Sequence, residues 1–229
     1  MEYNLLHVLG DGGEARVHLA VCVQSGTYCA IKIPHVPWHP LSRELLAREA
    51  IRRIQVQGPR VVNVLDWGFD GSTPFIAIEF ADQGTLQHEF DDFRARNEVY
   101  HPRTALMRIR EILLALADIH DRNVIHRDVK PENICFFSNG DVALNGFGIG
   151  RTLTRPYDLQ TRGFVGTQVY ASPEQKLQLP VDHRADLYSA GVILYEMAVS
   201  NLNRNWERCD SRRRPHREFE NRGTRVGVR

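Results

Sequence analysis

Lysine is nearly missing from this sequence. Of 29 basic residues only three are lysine (Lys32, Lys130 and Lys176), and the other 26 are arginine. An ammonium is a compact point charge and a guanidinium a planar fork, so the two do not substitute freely. A chain that nearly always chooses arginine has a reason for its few lysines, although Lys176 reads as an ordinary surface residue. Cysteine is sparse as well. Cys22, Cys29, Cys135 and Cys209 are scattered and form no C-x-x-C pair, which argues against zinc and a disulfide framework and suits a reducing compartment. Long apolar runs are lacking: the longest mostly apolar stretch, Leu187 to Val199, contains Ser189 and Glu196 and is too short to span a bilayer. No leader pattern precedes the first strand-like run, so a soluble, cytoplasmic protein is expected. A formal net charge of +1 gives no global field directed at nucleic acid or membrane.

What is present suffices for a buried core. The chain has 229 residues, 42% of them hydrophobic, enough for one large domain or two small lobes. Residues 1–33 read as strands, with Val17, Leu19, Val21 and Val23 alternating and a second β-rich run from Tyr28 to Ile33. Leu41, Leu45, Leu46, Ala50 and Ile54 have helical spacing. Val61 to Trp67 and Pro74 to Phe80 read as two further strands around a turn at Asp70-Gly71. After Gly84 the texture becomes helical, with amphipathic or apolar stretches from Leu106 to His120 and from Asp186 to Val199. The expected organisation is a small β-rich lobe over 1–81, a larger helical lobe over 82–200, and a tail over 201–229. That tail holds nine arginines, no lysine and four acidic residues. It reads as a solvated, poorly ordered segment; sparse aromatics argue against a nucleic-acid-binding arm, and a truncated or shifted reading frame is the other alternative.

Three motifs carry chemistry. Leu9 to Val17 reads Leu-Gly-Asp-Gly-Gly-Glu-Ala-Arg-Val, with Gly10 and Gly12 placed so that backbone N–H groups could approach phosphates. Alone, it is equally well a hairpin turn. Lys32 lies inside an apolar run one strand later; a strand lysine can be a mere edge residue, but this position favours phosphate. Its expected partner is Glu49 on the following helix, with Glu44 as the alternative, although a helix glutamate by itself is usually a surface charge. The third motif, Val124 to Asn133, packs His126, Arg127, Asp128, Lys130 and Asn133 into eight residues, which would be costly to fold without a shared task. Asp128 can accept a hydroxyl proton, Lys130 can neutralise a transferring phosphoryl group, and Asn133 can offer an oxygen to Mg²⁺.

The third motif resembles the catalytic loop of protein kinases almost residue for residue, with the lysine spacing of the Ser/Thr type and an overall pattern like the bacterial eukaryotic-like kinases. The resemblance covers about residues 5–199. It takes in Gly166-Thr167 and Ala171 to Glu174, which look like the end of an activation segment, and Asp186 to Gly191, which looks like the start of a buried helix whose aspartate holds the catalytic loop. It implies an α+β, bilobal protein-kinase-like fold whose helical lobe is incomplete. It also implies ATP and Mg²⁺ as cofactors and a protein Ser/Thr hydroxyl as acceptor. Asp128, Lys130 and Asn133 would be catalytic, Asn133 also binding metal. Leu9, Gly10, Gly12, Val17, Ala30, Lys32, Glu49, Glu79, Ala81 and Cys135 would bind nucleotide, with Ile78 as gatekeeper. Thr152, Thr154, Thr161 and Thr167 are candidate phosphorylation sites for pairing with Arg127, with support of the substrate site the favoured role for Thr167.

The pattern breaks at Gly146. The family has Asp-Phe-Gly where this chain has Gly146-Phe147-Gly148, and that aspartate binds Mg²⁺. The neighbouring Asn145 would point the other way in an extended segment, a poor substitute unless the backbone twists, which Gly146 makes easier. Two outcomes follow: a kinase with weakened phosphotransfer, or a pseudokinase that binds nucleotide as a scaffold. A degenerate fragment is the third. Absent later helices would uncover apolar surface and lower stability.

Overall fold

A computed structural model of the chain describes residues 1–12, 15–36, 40–147, 151–152 and 169–199. Expectations for Thr154, Thr161, Gly166, Thr167 and the tail over 201–229 lie outside these residues, as does the side chain of Thr152. The small lobe is a five-stranded antiparallel sheet: β1 (Tyr3–Asp11), β2 (Ala15–Cys22), β3 (Tyr28–Pro34), β4 (Val64–Asp70) and β5 (Thr73–Glu79), in the order β1-β2-β3-β5-β4. One helix, α1 (Pro40–Gln55), crosses it. The sheet is covered on both faces: Ala30 packs in one buried cluster and Ala20, Cys29 and Ile31 in another, so neighbouring residues of β3 are buried together. Helical spacing on α1 buries Leu46, Glu49, Ala50 and Arg53 along one stripe. Two of those four side chains are charged, which is unusual for a core-facing stripe.

The larger lobe is helical: α2 (Leu86–Ala95), α3 (Pro102–His120), α4 (Pro173–Lys176) and α5 (Arg184–Val199). Short pairs β6 (Val124–Ile125) with β9 (Arg151–Thr152), and β7 (Ile134–Phe136) with β8 (Val142–Leu144), frame the polar loop between them. Its core is apolar and dense. Ile112, Leu116 and Ile119 of α3 meet Ile193 and Met197 of α5 together with Phe147, all essentially without solvent exposure. Each such side chain contributes about 1.5–3 kcal/mol from burial.

Two differences from the sequence reading have physical causes. The strand expected from Val61 starts at Val64, because residues 60–62 pair with the other lobe. Val62 donates to the Leu144 carbonyl at 2.9 Å, and Leu144 donates to the Arg60 carbonyl at 2.9 Å. Helix α3 starts at Pro102 rather than near Leu106, since Pro102 occupies the first helical position after the N-cap His101. The linker between the lobes is tied the same way: Gln83 donates to the Phe136 carbonyl (3.2 Å) and Phe136 to the Gly84 carbonyl (2.9 Å).

Candidate active site between the two lobes

Lys32 sits on β3 opposite Val17 of β2 and Ile76 of β5. Its Nζ lies 2.6 Å from Glu49 Oε2, whereas Glu44 pairs with Arg48 on the same helix. The other oxygen of Glu49 is also occupied. Arg53, one turn further along α1, donates to Oε1 from Nε (3.2 Å) and Nη2 (2.9 Å). Burial pushes the Glu49 carboxyl up, but the charges and hydrogen bonds of Lys32 and Arg53 outweigh it and hold it down at about 2. Arg53 Nη2 continues to Asn145 Oδ1 at 2.7 Å, which joins α1 to the segment ahead of Gly146.

The polar loop is fixed from below by Asp186, the third residue of α5. Its carboxylate accepts from the backbone N–H groups of His126 and Arg127, each at 2.8 Å, and from His120 Nε2 at 2.8 Å. Arg127 is held at φ +66°, a conformation few side chains adopt. The Asp186 bond to its N–H and the Gln175 Nε2 bond to its carbonyl (2.8 Å) hold it there. His126 is fully buried and its charged form is disfavoured by that burial, against the pull of Asp186. The neutral ring uses both nitrogens: Nε2–H donates to the Asn145 carbonyl (2.7 Å), and Nδ1 accepts from the Asp128 N–H (3.3 Å).

Asp128, Lys130 and Asn133 converge. Lys130 Nζ is 3.4 Å from Asp128 Oδ2. Asn133 Nδ2 donates to the Asp128 carbonyl (2.7 Å) and to its Oδ2 (3.0 Å). Asn145 donates through its backbone N–H to the Asn133 carbonyl at 2.8 Å. A continuous path therefore runs from Lys32 through Glu49, Arg53, Asn145 and Asn133 to Asp128. Gly146 adopts φ +86° and lies directly against the Asn133 amide, so a Cβ at this position would overlap that side chain. The backbone fits glycine with least strain.

To a Mg²⁺ the described side chains of this seam would offer one carboxylate and one amide, leaving the rest of its shell to substrate oxygens and water. Asp128 is the nearby carboxylate, and Lys130 and Asn133 already engage it. Asn133 adds a neutral amide. Among the described residues no group of three or more His, Cys, Asp or Glu side chains is placed to hold a metal.

The expected adenine-side residues also gather. Ala30, Ile78 and Cys135 belong to one buried apolar cluster, with Val17 and Ala81 packed against it. Burial pushes the Cys135 thiol up to about 12, so it behaves as an apolar wall. Glu79 sits at the end of β5, where its side chain accepts from the backbone N–H and amide of Asn63. Gly10 pairs with Val17 across β1 and β2, and Leu9 is exposed beside it. The Gly12 carbonyl accepts from His35 Nε2 at 2.6 Å, and the same nitrogen lies 3.1 Å from Asp11 Oδ1. Sequence reasoning missed Arg53, His120 and Gln175. Arg53 carried one signal: it falls on the buried stripe of an amphipathic helix, four residues after Glu49.

A small twisted sheet with one crossing helix, joined through a hinge to a helical lobe with a polar loop at the seam, is the architecture of a two-lobed phosphotransferase. The match described as protein kinase domain covers residues 3–217, and the chain belongs to that family. It continues past residue 199, where the motif resemblance stopped, into the arginine-rich stretch. The serine/threonine-protein kinase PknB of Mycolicibacterium smegmatis is 36% identical over 203 residues, covering 85% of this chain and 32% of the relative. A probable PknB of Bifidobacterium longum is 35% identical over 208 residues, covering 85% and 30%. The serine/threonine-protein kinase PrkC of Bacillus subtilis is 29% identical over 202 residues, covering 87% and 31%. The chain thus spans about a third of the length of the curated relatives it matches. No helix among the described residues is long and apolar enough to cross a membrane.

Proposed function

We propose that this chain binds ATP and transfers its γ-phosphoryl group, slowly, to a serine or threonine hydroxyl of a protein. The observation that carries this reading is the bonded path from Lys32 to Asp128. It aligns a strand ammonium for the phosphates and a carboxylate for the acceptor hydroxyl within one seam. Lys32, oriented by Glu49, neutralises charge on the phosphates. The glycine turn at Gly10 and Gly12 lies over them, and Val17, Ala30, Ala81, Cys135 and the Glu79 backbone form the adenine side. Asp128 accepts the hydroxyl proton as the oxygen attacks the γ-phosphorus, the bond from that phosphorus to the β,γ-bridging oxygen breaks and ADP leaves, and Lys130 stabilises the charge passing to the transferred group. The relatives named as serine/threonine kinases support the acceptor class.

The slowness comes from Gly146. Where relatives of this family place a metal-binding aspartate, this chain has no side chain, and Asn133 folds over the space. Loss of one preorganised electrostatic group costs roughly 10²- to 10³-fold in rate. That same contact favours a second reading, a nucleotide-binding scaffold with negligible transfer. Phosphoryl transfer from radiolabelled ATP to a generic protein acceptor separates the two. The proposal expects low but measurable transfer by the parent, abolished in Asp128→Asn and raised in Gly146→Asp once Asn133 shifts aside. Parent activity equal to Asp128→Asn would establish the scaffold instead.

A further inference from the structure

Arg53 is a guanidinium on α1 buried to 3% exposure. It bonds Glu49 twice and Asn145 once, and its Cζ stands 5.9 Å from the Phe147 ring centroid. One nitrogen, Nη1, has no partner among the described residues. As a device for stability this is poor design. A buried ion pair is often matched or exceeded by an apolar side chain of similar volume, and Glu49 already has Lys32 as a counterion at 2.6 Å.

The geometry suggests a different task. Asn145 is bonded through its backbone N–H, its carbonyl and its side-chain oxygen. Its N–H donates to the Asn133 carbonyl and its carbonyl accepts from His126. Its Oδ1 accepts from Arg53 and from the Gly146 N–H at 2.9 Å. Whatever grips Asn145 therefore grips the polar loop, the backbone entering Gly146 and, through Arg53, helix α1. Gly146 itself has no side chain to anchor that backbone and carries glycine's excess conformational freedom.

We infer that Arg53 is a positioning residue which clamps Asn145 to Glu49, holding α1 against the Gly146 segment and keeping Lys32 aligned for a nucleotide before any ligand arrives. The clamp rests on the nucleotide-binding reading for its purpose, but not for its existence. It predicts that the site is preorganised in the ligand-free protein, which lowers the ordering cost of binding.

Arg53→Met tests it, since methionine keeps the length and apolar packing but not the donors. Two readouts are needed. In the ligand-free protein, amide hydrogen exchange over residues 142–147 should rise clearly in Arg53→Met. Affinity for ATP without added metal, followed by calorimetry well below the unfolding midpoint, should fall about tenfold. Asn145→Ala, which leaves the Arg53–Glu49 pair in place, should produce the same two changes, and the double variant should be no worse than either alone. Unchanged exchange in Arg53→Met, or in Asn145→Ala if the methionine variant does not fold, would overturn the clamp. Parent protein that binds no ATP would defeat the functional reading alone, because the exchange measurement still decides the clamp.

Discussion

Glu49 concentrates the chemistry of the small lobe at the scale of one residue. It is a buried carboxylate with a cation on each oxygen. Replacing it with glutamine would leave Lys32 and Arg53 facing each other without a counterion. Breaking a buried pair in this way costs about 3–5 kcal/mol, so Glu49→Gln should lower the denaturant midpoint sharply. A loss under about 1 kcal/mol would mean that solvent reaches the pair. Lys32 and Glu49 were legible because one of only three lysines in an arginine-rich chain and a glutamate on a helical stripe are visible as patterns. Arg53 was not, because one arginine among 26 carries no compositional signal. Asn145 was read as turned away from the Gly146 position unless the backbone twists there, and Gly146 does adopt φ +86°. Asn145 Oδ1 bonds Arg53 and the Gly146 N–H, and a partner 92 positions distant along the chain leaves no trace in local spacing.

Elements with strong periodicity were legible: α1, α3, α5 and the sheet strands fall close to where apolar spacing puts them. Helix α2 was missed, because its buried residues are only Leu86 and Phe90. Its start is set instead by a reciprocal cap, in which Thr85 Oγ1 accepts from the His88 N–H and His88 Nδ1 accepts from the Thr85 N–H. Histidine stands where a glutamate or glutamine is usual. Val61 and Val62 were assigned to a strand of the small lobe because β-propensity does not say which lobe they pair with. The joint between α5 and the polar loop is the most consequential element contact. Asp186→Asn would lose the charge that holds two backbone N–H groups and His120. It should cost about 2 kcal/mol and free Arg127 from its left-handed conformation, with phosphotransfer falling more than ATP affinity. Equal losses in both would show that Asp186 supports the fold rather than the loop.

For the molecule as a whole, the buried groups set an acid limit. His126 is held neutral, so its folded pKa is depressed. Its contribution is complete above the unfolded value of about 6.5 and declines as pH falls below it, since the unfolded chain takes up a proton that the fold resists. Protonation at Nδ1 would also remove the acceptor for the Asp128 N–H. Glu49 adds a second loss between its ordinary value of 4.5 and about 2, on the order of 3 kcal/mol in all. Stability should therefore fall in two stages on acidification. In His126→Gln, which keeps a buried hydrogen-bonding side chain, the first stage should vanish. A flat unfolding midpoint between pH 7 and pH 5 in the parent would contradict the neutral assignment.

ATP binding by the whole chain is the most direct test, since every role assigned above presupposes a nucleotide at the seam. Isothermal titration of ATP into the parent and into Lys32→Met, both folded by the same spectroscopic criteria, should give saturable binding in the parent, at least about tenfold weaker in the variant. Equal affinity in the two proteins, or heat from neither, would contradict a site built around Lys32 and Glu49.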